Sequence, residues 1–147
     1  MGQVLYWEDV QEGMDLPPLV KYPDTQQLVK YAGASGDYYQ IHYDTAFAKK
    51  KGLPGVIIHG ALKSAFLGQL VTDWIGDYGV LKRLDCQYRG MDVPDDTLTS
   101  KGKAVRKYEE NGEHLVDCDI WLENGAGAVT TPGTATVSLP SRKIGIA

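Results

Sequence analysis

A carboxylate and an imidazole stand five residues apart in the segment Gly36-Asp37-Tyr38-Tyr39-Gln40-Ile41-His42. An ionised carboxyl group only accepts hydrogen bonds, whereas an imidazole donates or accepts near neutral pH. Together they can hold one water from two sides and move its protons. Spacing alone does not show that they meet. An Asp after Gly also makes turns and caps, and a single His also serves in packing, so the pair stays open between acid–base chemistry and local structure. Cys86 and Cys118 lie far apart, form no Cys-x-x-Cys and have no His at metal-ligand spacing; two buried, reduced thiols are expected. With no phosphate-loop or dinucleotide motif either, neither a metal nor a cofactor is expected.

Such a pair needs rigid elements on both sides. Asp24 is an N-cap with Gln27 as its capping-box partner, opening a helix whose Leu28, Val29 and Ala32 share a face and which stops at Gly33 to Gly36. A short second helix starts at Asp44, with Ala46, Phe47 and Ala48 inside and Lys49 to Lys51 at its negative end, before Gly52 and Pro54. The longest runs from Gly60 to about Ile75. Leu62, Ala65, Phe66, Gln69, Leu70 and Trp74 recur along it at spacings of three and four, over roughly 24 Å.

From Val80 the pattern turns to strands: Val80 to Arg89, Leu98 to Tyr108, His114 to Leu122 and Ala126 to Leu139, with an earlier strand near Leu16 to Tyr22. Asn111-Gly112 and Asn124-Gly125 read as hairpin turns, and Pro132-Gly133 as a bulge or edge position. Helices first and strands second predict an α+β domain. The 147 residues with 43% hydrophobic content fit one domain, 1–147, with 140–147 as a surface tail.

The net charge of −4 argues against nonspecific attraction to nucleic acid. The opening Met1 to Glu8 lacks a basic region followed by an apolar run, and Lys63, Gln69 and Asp73 interrupt the most apolar stretch. A cytoplasmic protein outside the membrane is the expectation.

Two motifs then fall at a telling separation. Ala34-Ser35-Gly36-Asp37-x-x-x-Ile41-His42 followed by Val56-Ile57-Ile58-His59-Gly60-Ala61-Leu62 resembles the hydratase signature of MaoC-like proteins, and Gly133 to Pro140 extends the likeness over most of the chain. That family includes (R)-specific enoyl-CoA hydratases and (3R)-hydroxyacyl thioester dehydratases. The resemblance implies the hot-dog fold, an antiparallel sheet wrapped around a long central helix. It also implies that Asp37 and His42 are the catalytic pair, adding water across a trans-2-enoyl thioester, and that the Gly60 amide binds the thioester carbonyl. A helix start suits that last role, because its amides lack intrahelical acceptors and lie at the positive dipole end. His59 then orients the loop or contacts substrate, and Tyr39 and Ser64 either face the site or pack.

One departure stands out: Tyr39-Gln40 replaces the family's usual Asn-Pro, removing a proline's fixed φ and an amide that Gln40 is placed to replace. The change fits a subunit of a heteromeric hydratase, and a hot-dog thioesterase or binding module is a further alternative. The implied partners are an acyl-CoA or acyl-carrier-protein thioester and a second chain, in a homodimer or a heteromer. Lys49, Lys50, Lys51, Lys82 and Arg83 are candidates for meeting the carrier's phosphates, or simply a solvated face.

Overall fold

Side-chain caps and glycines divide the chain much as the sequence predicts. The computed structural model describes residues 4–144. In chain order it holds β1 (Asp15–Lys21), α1 (Thr25–Ser35), a 3₁₀ turn at Gln40–His42, α2 (Thr45–Lys50), α3 (Gly60–Ile75), β2 (Val80–Cys86), β3 (Leu98–Glu110), β4 (Glu113–Glu123) and β5 (Val129–Ser138). Asp24 Oδ1 accepts from the Gln27 amide at 2.8 Å to start α1, and Asp44 Oδ1 accepts from the Phe47 amide at 3.0 Å to start α2.

The five strands form one antiparallel sheet in the order β1-β3-β4-β5-β2. One face of the sheet packs on α3, whose Leu62, Phe66, Leu67, Leu70, Val71 and Ile75 are buried with Val116, Ile120, Leu122, Ala135 and Val137 of the sheet. This is the α+β, hot-dog arrangement that the resemblance implies. Pro17 and Pro18 sit on the edge strand β1, where its register to β3 shifts and missing amides do least harm. The β3–β4 hairpin turns on Asn111 (φ 51°) and Gly112 (φ 80°), the two positive φ values that a type I′ turn requires.

Several expectations are corrected. Val29, Ala65 and Gln69 are exposed, and Lys63 is buried: the apolar stripe of α3 is turned toward Lys63, Leu67 and Val71. β2 ends at Cys86 rather than Arg89. β5 is interior in the sheet order, yet it is interrupted where Pro132-Gly133 suggested: its pairing with β2 ends at Gly133, its register to β4 shifts between Thr131 and Val129, and the Pro132 carbonyl still accepts from the Gln87 amide at 2.9 Å. Gly133 is needed for close approach, since a Cβ there would meet the Asp85 carbonyl oxygen at 2.4 Å. Asn124-Gly125 is not a two-residue turn. Asn124 Oδ1 accepts from the amides of Ala126 and Ala128, both at 3.0 Å, and the positive φ falls at Gly127.

The segment read as a surface tail begins with two docked residues. Ser141 is buried and donates to Glu8, and Arg142 forks onto both oxygens of Asp9 at 2.8 and 2.9 Å. The Ser141 hydroxyl is the main reason the Glu8 carboxyl is lowered to about 2. Residues 145–147 of the tail, like Met1 to Gln3 of the opening segment, lie outside the described residues. Among the described residues no helix is long and apolar enough to cross a membrane.

Candidate active site

Asp37 leaves α1 through Gly36, whose φ of 76° reverses the chain while its amide bonds the Ala32 carbonyl at 3.0 Å. The Asp37 amide is held by Ser35 Oγ at 3.2 Å. The turn at Gln40–His42 then brings His42 back beside Asp37. Its ring is fixed from the second motif: His42 Nδ1 lies 2.8 Å from the Ile57 carbonyl, and the Ile57 amide bonds the Ile41 carbonyl at 3.0 Å. A carbonyl only accepts, so Nδ1 carries the hydrogen and Nε2 of the neutral ring is left as an acceptor.

His42 Nε2 faces Asp37 Oδ2 at 3.8 Å. Two acceptors at that distance cannot bond each other, but both can accept from one bridging water, which has two hydrogens to give. His42 is buried and the Asp37 side chain is 48% exposed, so the pair is fixed on one side and reachable on the other.

Behind them stands His59, 0% exposed, its ring stacked on His42 at 3.8 Å with 19° between planes and edge-on to Tyr31 at 4.9 Å. Its Nε2 reaches the Asp37 carbonyl at 3.4 Å, and its Nδ1 is buried without a partner. Burial, reinforced by His42, lowers the His59 pKa. A buried neutral ring that touches both members of the pair acts as their backing. Asp37, His42 and His59 each offer a metal-ligand atom within 4.8 Å of the others. Imidazole lone pairs lie in the ring plane, however, and in stacked rings they run side by side rather than converge on one ion.

Gly60 opens α3 at the same place. The amides of Gly60 and Ala61, the first two helical positions, have no intrahelical acceptor, and His59 provides no side-chain cap. A cavity of about 390 Å³ runs past them, lined by His42, Ile57, Ile58, Gly60, Lys63, Tyr88, Arg89, Gly90 and Met91. Ser64 meets Tyr88 instead of the open cavity: its hydroxyl bonds Tyr88 Oη and lies 3.2 Å from Cys86 Sγ. Tyr39 packs edge-on to His42 at 6.3 Å and to Phe47 at 6.1 Å. With φ −64° and ψ 120°, Tyr39 has the extended form of a residue preceding proline although Gln40 follows. The loop is tied by Tyr43 Oη, which donates to the Tyr38 carbonyl at 2.8 Å, in place of an amide from Gln40.

Two parts of the site escaped the sequence reading. Lys63, read there as a break in an apolar run, is buried and donates to the Gly90 carbonyl at 2.7 Å and to Asp92 Oδ2 at 2.9 Å; Thr130 Oγ1 donates to the same oxygen at 2.6 Å. Through these bonds the charge clamps the cavity wall at Gly90 and Asp92 to α3. Of the two cations that line the cavity, Lys63 is spent on Asp92, while Arg89, whose Nε and Nη2 donate to Gln87 Oε1 at 3.0 and 2.6 Å, meets no carboxylate among the described residues; Lys82 and Arg83 are taken by Glu113 at 2.7 Å and Asp85 at 2.5 Å. Lys49 to Lys51 are exposed, Lys51 lying over the Phe47 ring at 5.4 Å. Cys118 is buried, and desolvation pushes its thiol up to about 12, while Cys86 is half-buried rather than buried.

The family model described as MaoC like domain matches residues 10–120. The fatty acid synthase subunit beta of Saccharomyces cerevisiae is 30% identical over 118 residues, 73% of this chain and 6% of that one. The same subunit of Gibberella zeae is 40% identical over 120 residues, 80% of this chain and 6% of that one. The chain thus spans only about 6% of the length of these two subunits. The 3-oxo-4,17-pregnadiene-20-carboxyl-CoA hydratase beta subunit of Mycobacterium tuberculosis is 26% identical over 93 residues, 63% of this chain and 72% of that one. Among solved structures, R-hydratase PhaJ1 from Pseudomonas aeruginosa superposes with a TM-score of 0.83 at 20% identity over 93% of this chain and 86% of that one. The (R)-hydratase from A. caviae gives 0.81 at 22% identity over 90% and 99%.

Proposed function

Because the chain belongs to the MaoC-like domain family, we propose that it is a hydro-lyase interconverting trans-2-enoyl and (3R)-3-hydroxyacyl thioesters at Asp37 and His42. The observation that carries this reading is the pair of acceptors, Asp37 Oδ2 and His42 Nε2, 3.8 Å apart beside the unpaired amides of Gly60 and Ala61. In the hydration direction a water donates to both acceptors. As its oxygen bonds the β carbon, the pair takes one proton and returns one to the α carbon, so that water adds overall. The charge that gathers on the thioester oxygen meets the amide of Gly60 at the positive end of α3. Arg89, at the cavity, meets the phosphates of the carrier. The (3R) configuration is carried over from the two solved R-hydratases, whose fold this chain shares.

The test is to mix the purified protein with crotonyl-CoA and longer enoyl-CoAs and follow loss of the conjugated absorbance alongside release of free thiol. Loss of absorbance without thiol supports the proposal; thiol release without hydration replaces it with a thioesterase. A second arrangement is favoured by the half-exposed Asp37 and by the β-subunit relative: the chain completes its cleft with a different subunit. Silence alone, followed by turnover once a second family member from the same source is added, selects that arrangement.

A further inference from the structure

The helix and the neighbouring strand meet through three matched contacts. Leu84, Cys86 and Tyr88 alternate along β2 and its extension, so all three side chains point to one face. Opposite them, α3 presents Gly68, Ser64 and Gly60, four residues apart and therefore on one ridge. Leu84 Cδ1 lies 4.0 Å from where a Gly68 Cβ would be, Cys86 Sγ lies 3.2 Å from Ser64 Oγ, and the Tyr88 ring lies 2.8 to 3.0 Å from where a Gly60 Cβ would be.

The ring at Gly60 is held from several sides. Its hydroxyl bonds Ser64. The flanking amides of Gln87 and Arg89 bond the carbonyls of Pro132 and Thr130, each at 2.9 Å, which continues the strand pattern past Cys86. Two residues on, the Gly90 carbonyl accepts from Lys63 at 2.7 Å, and the Lys63 ammonium lies 5.7 Å from the ring centroid. Tyr88 is nevertheless 55% exposed and lines the cavity with His42 and Gly60. A half-exposed aromatic anchored this firmly on a glycine is a wall of the cavity at its carbonyl-binding end.

We infer that Tyr88 is a specificity-determining residue whose ring, fixed over Gly60, excludes substituents on the α carbon and restricts the site to acyl thioesters unbranched at that carbon. The inference rests on the proposed seating of the thioester carbonyl at the Gly60 amide, because the α carbon is the substrate atom bonded directly to that carbonyl. A methyl group there competes with the ring for space, and a pocket contact of that size is worth on the order of 10–100-fold in discrimination.

Affinities of unreactive saturated thioesters test this independently of turnover. Calorimetry with butyryl-CoA and 2-methylbutyryl-CoA on the wild-type protein is expected to favour the unbranched thioester by about 10–100-fold. Tyr88→Ala and Tyr88→Leu should reduce that ratio to within about threefold. Tyr88→Phe keeps the ring and should keep the ratio. An unselective wild type overturns the inference, as does an unchanged ratio in both ring-removing variants, or a Tyr88→Phe that behaves like Tyr88→Ala. Melting curves of each variant establish that the ratios come from folded protein. The two proposals fail in different ways. The predicted selectivity with no hydration of crotonyl-CoA, either alone or after the second family member is added, removes the hydratase reading and leaves the Tyr88 wall standing, whereas binding of neither thioester under both conditions removes both.

Discussion

Removing the Lys63 ammonium should destabilise the fold far more than losing an ordinary surface charge. The Lys63 and Asp92 side chains are 3% and 0% exposed, and their 2.9 Å contact joins α3 to the cavity wall. In Lys63→Met the Asp92 carboxylate keeps only the Thr130 hydroxyl on Oδ2, while Oδ1 already lacks a partner. The Gly90 carbonyl loses its 2.7 Å donor as well. Stripping one partner from a buried pair costs about 3–5 kcal/mol, against about 0–1 kcal/mol for an exposed pair. For a chain of this size that corresponds to a fall of roughly 6–20 °C in Tm. Adding Asp92→Asn removes the uncompensated charge, so the double variant should recover at least about half of the loss. Denaturant unfolding followed by circular dichroism on the four proteins of the cycle gives both numbers. A Lys63→Met cost below about 1 kcal/mol, or a double variant that loses the sum of the two singles, would refute the buried clamp.

Other consequences follow from the same geometry. Asp37→Asn and His42→Gln should each lower kcat for enoyl-CoA hydration by about 10²–10⁴-fold with unchanged circular dichroism, and the double variant should lose little more than the worse single; near-normal rates in both would remove the site assignment. Gly60→Ala puts a methyl group against the Tyr88 ring at 2.8 Å, so kcat/KM should fall at least about tenfold while Tm changes by only a few degrees. Unaltered kcat/KM would show that the helix start is not used. His59 is held below its ordinary value of 6.5, so the unfolded chain takes up a proton there more readily than the folded one. Its contribution to stability is complete above 6.5 and is lost as pH falls toward the lowered folded value. Melting temperatures measured from pH 7.5 down to 5 should therefore show a descent that His59→Phe flattens, and parallel curves for the two proteins would exclude the effect.

Local signals in the chain were legible because their partners are close in sequence. Asp24 and Asp44 cap amides three residues away, Gly36 and Gly76 end helices, and Asn111-Gly112 closes a two-residue hairpin. The Gly36-to-His42 loop and the Gly60 start were likewise legible from two short motifs, and the structure brings them together through Ile57. What escaped depends on distant partners. Lys63 reads as an interruption until Asp92, 29 positions on, is seen to neutralise it in the interior. Arg89 stands apart from Lys82 and Arg83 because it lines the cavity and bonds only the neutral Gln87 side chain, whereas carboxylates from across the sheet and along the strand occupy the other two. Ala65 and Gln69 shared spacings with the core positions of α3, but the sheet lies against the ridge turned toward Leu67 and Val71.

The most direct test of the Asp37–His42 water site follows solvent oxygen into product. With crotonyl-CoA in ¹⁸O-labelled water, mass spectrometry should find one heavy oxygen in the 3-hydroxyl group of an intact 3-hydroxybutyryl thioester, and Asp37→Asn should slow that incorporation by about 10²–10⁴-fold, in step with its kcat. Heavy oxygen in a released carboxylate, with free thiol beside it, would mean that the water is aimed at the carbonyl carbon and would contradict the account.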